Sequence, residues 1–296
     1  MLSEISRQSR QWGVANTAYT HTINSFMLDM GNKADYCVCY QNHSKCIIST
    51  RDKFDSEQLN KIKLKLENIY GEKFADAVKS AEEENIFYTF CAVPAYMVEF
   101  GTDSKSRYSV CGDICEILHA EDFSFVIMAD GMGTGSFAAA ESRTVVTMLK
   151  SLLSSGVKVQ TALEITNTAL NLKGTGQACV ALDILVADRY SGGCALYKAG
   201  GAASIMIEKN KIKRLYKDSL PIGILKDVKV AQFDFTLNNG DTIVLLSDGI
   251  ALTEELICKT KLMAEKLEPQ ELSQLITAEC AATDDATAAV FKFVRI

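Results

Sequence analysis

The stretch that decides the fold runs from Ser124 to Gly135 and reads Ser-Phe-Val-Ile-Met-Ala-Asp-Gly-Met-Gly-Thr-Gly. Its opening run is short and almost entirely apolar, which is typical of a buried strand. The run ends at Asp130, and three glycines at alternate positions then mark a tight turn. Apolar residues at helical spacing follow from Phe137 to Ser154. The stretch therefore predicts a strand, an acidic turn and a helix in succession.

Three further aspartates occupy the same kind of position, beside a short apolar strand and next to glycine or another aspartate. They are Asp113, Asp248 and Asp284. Because strand ends in a layered structure share common edges, the four acids can converge at one end. Converging carboxylates repel one another unless a cation lies among them, and oxygen ligands suit Mg2+ or Mn2+. Asp-Gly pairs also form ordinary hairpin turns, so the residues alone leave both interpretations open.

The rest of the chain falls into two patterns that meet at a boundary near 101–107. The first predicts a small α+β unit with a helix within 1–30, a hairpin at 34–50, one or two amphipathic helices at 56–80, and strands at 86–93 and 95–100. The second predicts strands at 124–129, 178–188, 194–199, 204–208, 211–216, 229–236, 241–247 and 288–294, with helices at 137–154, 159–172, 253–266 and 270–281. Helices grouped in pairs among many strands indicate a layered α+β sandwich.

Composition places the chain among globular proteins. Apolar residues make up 48% of the 296 residues and charged residues 23%, which excludes a disordered or fibrous protein. The 31 basic and 37 acidic residues give a net charge of −6, so proteins, small molecules or metal ions are favoured as partners over nucleic acid and anionic lipid. The start of the sequence lacks a signal-peptide profile, and no apolar run is long enough to span a bilayer. We expect a cytoplasmic protein.

The ten cysteines are scattered through apolar runs. They contain no Cys-x-x-Cys pair, and the chain has three histidines, so a structural zinc site is not expected. The cysteines are instead expected to be buried, reduced core residues.

Four blocks of sequence resemble one protein family and occur in its order. They are the segment 128–135 followed by Ala-Ala-Glu-Ser, the block Ser-Leu-Pro-Ile-Gly-Ile at 219–224, the run Leu-Leu-Ser-Asp-Gly-Ile at 245–250, and Asp-Asp-Ala-Thr-Ala-Ala-Val at 284–290. Together they resemble the stage II sporulation protein E branch of the PPM-type, metal-dependent serine/threonine protein phosphatases. The resemblance covers about 106–296, and residues 46–70 and 86–101 more faintly resemble the regulatory region that precedes that phosphatase domain.

The resemblance implies a layered α-β-β-α sandwich, in which two β-sheets are flanked by helix pairs and carry two Mn2+ or Mg2+ ions. Asp130 would bridge both ions and the carbonyl of Gly131 would bind one of them. Asp248 and Asp284 would hold the second ion, and Asp113 would act directly or through water. A metal-bridging hydroxide would attack phosphoserine without a covalent enzyme intermediate, which makes Asp130, Asp248 and Asp284 the expected catalytic residues.

The resemblance also implies a protein substrate and different roles for the two parts of the chain. The substrate would be a phosphorylated protein such as an anti-sigma-factor antagonist. Residues 1–105 would regulate the phosphatase domain at 106–296, and the N-terminal helix could form a homodimer. Two departures from the family pattern lie at Cys115 and Glu116, after the first Gly-Asp motif, and at the turn Gly200-Gly201, which lacks the family's polar continuation.

The same residues allow other interpretations. A phosphatase-fold interaction protein without turnover is the main alternative, although the proposed acidic ligands are all present. The glycines at 131, 133 and 135 could cradle a nucleotide phosphate, but the acidic residue of a dinucleotide fingerprint is missing. His119 has no visible nucleophile as a partner. Arg107, Arg143 and Arg189 are candidates for a phosphate-binding arginine.

Overall fold

A computed structural model describes residues 15–40, 44–82, 84–120, 123–133, 135–172, 179–209, 211–227, 229–280 and 284–296. The chain separates into two compact units, Met1–Pro94 and Ala95–Ile296. None of the helices in these ranges combines the length and the apolar character needed to cross a membrane.

Over its described residues, the first unit contains two helices and one antiparallel sheet. The helices are α1 (Thr17–Asp29) and α2 (Ser56–Tyr70). The strands are β1 (Tyr36–Tyr40), β2 (Lys45–Thr50), β3 (Val78–Glu82) and β4 (Asn85–Cys91), in the order β1-β2-β4-β3. The predicted hairpin is confirmed, and so is the N-terminal helix over Thr17–Asp29; residues 1–14 of that prediction lie outside the described residues. The helices predicted at 56–80 end at Tyr70, and the strand β3 at 78–82 replaces the last part of that prediction. The strand was missed because all five of its side chains are exposed and show no apolar alternation.

Local sequence explains where α2 begins and ends. Asp55 accepts a hydrogen bond from the amide of Gln58 at 2.8 Å, and the Gln58 side chain accepts one from the Asp55 amide at 2.9 Å, which forms a capping box. Gly71 ends the helix with a left-handed φ of 72°. Ile62 and Leu66, four residues apart, form its buried face.

In the part of the second unit that the structure describes, there are two five-stranded antiparallel sheets and four helices. One sheet has the order β12-β9-β8-β7-β6 and the other β11-β10-β13-β14-β5. The strands are β5 (Tyr96–Lys105), β6 (Asp113–His119), β7 (Phe123–Gly131), β8 (Val180–Asp188), β9 (Gly193–Ala199), β10 (Ser204–Glu208), β11 (Lys211–Leu215), β12 (Ala231–Thr236), β13 (Thr242–Leu246) and β14 (Ala286–Arg295). The helices are α3 (Gly135–Ser154), α4 (Val159–Leu172), α5 (Glu254–Ala264) and α6 (Pro269–Ala278).

Alternating side chains of β7 show how the layers form. Phe125, Ile127 and Ala129 belong to the apolar core shared with α3 and α4. Val126 and Met128 point the other way, into the core between the two sheets. A third core lies between the second sheet and the pair α5 and α6. The predicted α-β-β-α sandwich is therefore confirmed.

Strand β5 differs from the prediction that Gly101 would end it. It continues to Lys105 and pairs with β14 along its whole length, from Tyr96 opposite Arg295 to Lys105 opposite Ala286. Gly101 serves packing instead, since a Cβ there would lie 2.2 Å from the backbone nitrogen of Gln270 on α6. The division between the units accordingly falls at Pro94, earlier than the boundary predicted near 101–107.

The ten cysteines are free thiols. Cys37, Cys39, Cys46 and Cys194 are buried, whereas Cys258 is exposed on α5. The expectation that the cysteines are core residues is therefore wrong for Cys258, which lies on the solvent side of an amphipathic helix.

An ion pair is buried between the two sheets. Lys198 on β9 is directly opposite Asp183 on β8, and the two side chains are 0% and 1% exposed. The Lys198 ammonium donates to Asp183 Oδ2 and, at 2.9 Å, to the hydroxyl of Ser204. Burial raises the pKa of Asp183, and the charge of Lys198 opposes that rise. Removing either partner would leave an uncompensated polar group inside the sandwich.

We predict that Lys198→Met lowers the free energy of unfolding by about 3–5 kcal/mol, because it leaves Asp183 buried without its counter-charge. Urea denaturation measures the change. Lys213→Met is the matched control: its ion pair with Glu208 is partly exposed, so the loss there should stay below about 1 kcal/mol. Equal losses in the two variants would contradict this account of the buried pair.

Candidate active site

The four predicted acids lie at strand ends that the two sheets bring toward each other. Asp113 begins β6 and is directly opposite Asp130, the penultimate residue of β7. Directly opposite residues of antiparallel strands point to the same face, so these two carboxylates are neighbours. Asp248 lies in the turn after β13, closed by a 3.2 Å hydrogen bond from the Ile250 amide to the Ser247 carbonyl. Asp284 comes two residues before β14, which pairs with β13.

Three of the acids form a row with Asp130 in the middle. The pKa of Asp130 is raised to about 9, first by burial and then by the carboxylates of Asp113 and Asp248. Burial also raises the pKa of Asp113, while the hydroxyls of Ser247 and Thr287 lie against it and oppose the rise. The row therefore concentrates like charge at one edge of the sandwich.

One oxygen in this row lacks a hydrogen-bond partner. Asp113 is 6% exposed, and its Oδ2 has no partner among the described residues. A buried carboxylate oxygen without a partner is costly. Divalent cations such as Mg2+ and Mn2+ take carboxylate oxygens as ligands, so the donor set fits such an ion. Asp284 is exposed beside the row, and its Oδ1 accepts a hydrogen bond from the Asp285 amide at 2.9 Å.

Glycines beside the acids let neighbouring elements approach closely. A Cβ on Gly131 would lie 2.4 Å from the carbonyl oxygen of Ala138 on α3. A Cβ on Gly249 would lie 2.0 Å from the carbonyl oxygen of Asp285. No other residue fits these positions without displacing backbone, so the glycines fix helix α3 and the start of β14 against the acidic turns.

Asp285 is a structural residue of the site to which the sequence analysis gave no role. It is 6% exposed, and its Oδ1 and Oδ2 accept hydrogen bonds from the amides of Arg107 at 2.7 Å and Gly112 at 2.6 Å. It thereby ties the loop before Asp113 to the strand that follows Asp284. The doublet Asp284-Asp285 was the available signal, because adjacent acids at the start of a strand point to opposite sides.

Glu116 lies away from the row of acids. It is one of the two residues at which the chain departs from the family pattern after the first Gly-Asp motif. Side chains alternate along β6, so Asp113 and Cys115 face the other sheet and Glu116 faces the helices. Glu116 forms an ion pair with Lys150 of α3. It is therefore not a further acid of the row.

The three candidate arginines differ in position. The Arg107 backbone is bound by Asp285, and its guanidinium lies over the exposed ring of Tyr108, 5.2 Å from the centroid. Arg143 is exposed on α3. Arg189 lies near His119, whose imidazole pKa is lowered first by burial and then by the charge of Arg189. Asp113 and His119 are the first and last residues of β6, so about 20 Å of strand separates them. Arg189 therefore lies too far from the acidic row to contact a phosphoryl group there.

The block at 219–224 is held against α4 beside the acidic edge. Asn167 is 1% exposed; its Nδ2 donates to the carbonyls of Leu225 and Lys226 at 2.9 Å, and its Oδ1 accepts from the Gly223 amide at 2.8 Å. Val180 connects the block at 219–224 to the acidic edge. It pairs with Gly131 on one side and exchanges backbone hydrogen bonds with Ile222 on the other.

Comparison with known proteins gives matches to one protein family. Residues 121–294 match the stage II sporulation protein E family. The chain is similar to stage II sporulation protein E of Bacillus subtilis (strain 168), with 29% identity over 220 residues, and to that of Priestia megaterium, with 26% identity over 220 residues. Each match covers 69% of this chain, but it spans 26% and 38%, respectively, of the length of those relatives.

Solved structures share the fold. The chain is similar to the PP2C phosphatase domain with a fragment of the regulatory domain of SpoIIE from B. subtilis, with a TM-score of 0.73, 22% identity, and coverage of 99% of this chain and 90% of that one. It is also similar to the RsbU and RsbW domains of a Mycobacterium tuberculosis protein, with a TM-score of 0.58, 20% identity, and coverage of 69% and 61%. RsbX in complex with magnesium gives a TM-score of 0.55, 16% identity, and coverage of 73% and 99%. The second unit has the fold of PP2C-type phosphatase domains.

We predict that Asp285→Asn, measured by urea denaturation in the presence of a chelator, lowers the free energy of unfolding by about 1–3 kcal/mol. An amide side chain has one acceptor oxygen, so the backbone amide of Arg107 or Gly112 loses its partner. The adjacent Asp284→Asn is the control: its carboxylate is exposed, and the loss should stay within about 0.5 kcal/mol. A larger loss for Asp284→Asn than for Asp285→Asn would refute the role given to Asp285.

Proposed function

The chain belongs to the stage II sporulation protein E family, and we propose on that basis that its second unit is a metal-dependent protein serine phosphatase. The observation that carries the proposal is the row of Asp113, Asp130 and Asp248, in which one buried oxygen has no hydrogen-bond partner within the described ranges. Such a row is unfavourable by itself, and a cation-dependent activity explains why it is built into the fold.

The proposed metal ligands are the carboxylates of Asp113, Asp130, Asp248 and Asp284 and the carbonyl of Gly131. They are all oxygen donors, which suits Mn2+ or Mg2+, and we propose two ions with Asp130 between them. A bound divalent ion supplies an acidified water as nucleophile and offsets charge on a phosphoryl oxygen. The magnesium complex of RsbX, a protein of similar fold, supports the choice of metal class.

The chain's own residues hold this arrangement in place. The hydroxyls of Ser247 and Thr287 lie against Asp113 and favour its ionised form. Ser247 is itself fixed, because its hydroxyl accepts the Thr287 amide at 2.8 Å. Asp285 fixes the loop that leads into Asp113. The catalytic residues proposed are Asp130, Asp248 and Asp284.

The open position of the site favours a protein substrate. Asp248 and Asp284 are exposed, so the acidic edge is reachable by a phosphoserine on the surface of another protein. The similarity to RsbU and RsbW domains supports a substrate from sigma-factor regulation, and we propose a phosphorylated anti-sigma-factor antagonist. Arg107, exposed and anchored by its backbone next to Asp285, is proposed to contact the phosphoryl group.

The first unit is proposed to regulate this activity in a cytoplasmic protein, with α1 contributing to a homodimer. The fragment of the regulatory domain in the similar B. subtilis structure supports a regulatory role. Each unit has its own sheet and its own buried side chains, so residues 95–296 can be tested alone. Activity and oligomeric state that do not change on removal of residues 1–94 would exclude regulation and dimerisation by the first unit.

We predict that Asp130→Asn lowers manganese-dependent phosphate release from a phosphoserine protein by about 100-fold or more, which is the scale of losing one electrostatic stabiliser. The side-chain amide of asparagine is neutral, so it cannot supply the negative charge with which Asp130 would bind divalent cations. Initial rates with and without Mn2+ measure the effect. Asp234→Asn, at an exposed position on β12, is the matched control and should keep full activity.

Two results would count against the proposed activity. Full turnover by Asp130→Asn would exclude a role for Asp130 as the bridging ligand. A wild-type protein that binds Mn2+ but releases no phosphate from any phosphoserine protein or aryl phosphate would instead favour a phosphatase-fold interaction protein.

We predict that Arg107→Ala raises KM for the phosphoprotein by about tenfold or more, since a hydrogen bond to a charged group contributes about 1.5–3 kcal/mol. Steady-state kinetics with saturating Mn2+ measure KM and kcat separately. Arg189→Ala, which follows β8 and lies near His119 at the far end of β6 from Asp113, should leave KM unchanged. A KM that responds equally to both substitutions would exclude Arg107 from phosphate binding.

A further inference from the structure

Three cysteine side chains meet inside the first unit, whereas the residues assigned to catalysis belong to the second unit. Cys37, Cys39 and Cys46 are 7%, 0% and 0% exposed. Their sulfur atoms all lie within 4.8 Å of one another, and each is a free thiol.

The hairpin explains why these thiols meet. Cys37 and Cys39 are two residues apart on β1, so they point to the same face of the sheet. Cys46 on β2 is directly opposite Cys39 in the antiparallel register. Opposite residues point to the same face as well, which adds the third sulfur. The other face of the hairpin carries Val38 and Ile47, so the thiols occupy one side only.

We propose that Cys37, Cys39 and Cys46 bind one thiophilic metal ion of the Zn2+ or Cu+ class. Thiolate ligands select such soft ions over Mg2+ and Mn2+, which take oxygen. A metal–sulfur bond of about 2.3 Å places ligand sulfurs roughly 4 Å apart, so the observed spacing needs little adjustment. Binding releases the thiol protons to solvent and requires no oxidant or reductant.

Polar and aromatic groups around the thiols suit a charged centre. The hydroxyl of Tyr70 lies beside the Cys39 thiol and donates its proton to the Tyr40 carbonyl at 2.9 Å. Rotation of this O–H would turn its proton toward a Cys39 thiolate, and outer hydrogen bonds of that kind orient metal ligands and balance their charge. The Tyr70 ring packs edge-on against Tyr19, with centroids 4.9 Å apart, and against Phe74 at 5.3 Å. These rings lie on the side of the cluster where Tyr70 reaches the thiols.

The competing chemistry is a disulfide between Cys39 and Cys46, which are cross-strand neighbours. A disulfide would use two of the three sulfurs and leave Cys37 as a lone thiol. A metal ion uses all three, and it accounts for the convergence of the third sulfur and the Tyr70 hydroxyl on the same point.

The test is titration of the reduced full-length chain with Cd2+ and, separately, with Cu+ in the absence of oxygen. Sulfur-to-metal charge transfer in the ultraviolet should rise and saturate at one equivalent for the cluster. Carboxylates give no such absorption, so the acidic row does not contribute. Cys39→Ser should weaken binding at least tenfold, in line with the loss of a metal ligand. Cys194→Ser and Cys258→Ser, which remove a buried and an exposed thiol elsewhere, should bind as wild type does.

Three results would overturn the proposal. The first is a wild-type chain that shows no charge-transfer absorption. The second is a Cys39→Ser variant that keeps full affinity and the wild-type circular dichroism spectrum. The third is loss of metal binding in either control variant. Alkylation of the denatured protein before reduction adds a measurement on the wild type alone. Ten modified cysteines agree with free thiols, whereas eight would show a disulfide.

Discussion

Repulsion between carboxylates at one edge of the sandwich is the constraint on which the rest of the second unit depends. Asp130 lies between Asp113 and Asp248, and both raise its pKa. Burial of Asp130 is the largest cause of that rise, because it removes part of the water that would solvate the charge. A fold that assembles such a row must hold it rigidly and must also supply a compensating charge. The oxygen donors of the row make a divalent cation the natural source of that charge.

Rigidity comes from backbone contacts that only small residues or buried acceptors allow. Gly131 and Gly249 let α3 and β14 lie directly against the acidic turns. Asp285 then joins the loop before Asp113 to the start of β14 through two short hydrogen bonds to backbone amides. The acids at this edge therefore have different tasks, with Asp285 fixing the frame and its neighbours facing the proposed metal ions.

The sequence predicted the layers and the acidic edge well, because both depend on local patterns. Alternating apolar residues define β7, and an acid at the strand end follows from its position alone. Contacts between distant segments were not predictable in this way. A glycine such as Gly101 predicts the end of a strand, and only the packing of α6 on it explains why the strand continues. The role of Asp285 likewise depends on its hydrogen bonds to the loop at 107–112, which is distant in sequence. The thiol cluster was missed because Cys39 and Cys46 become neighbours only through the hairpin register.

The most direct test of the central claim is the anomalous X-ray scattering of Mn2+ in crystals of the protein. The account predicts manganese peaks within bonding distance of the Asp130 carboxylate. It also predicts that Asp113 Oδ2 contacts an ion or an ordered water. Manganese-loaded crystals with no peak at this edge of the sandwich, or with peaks only elsewhere, would contradict it.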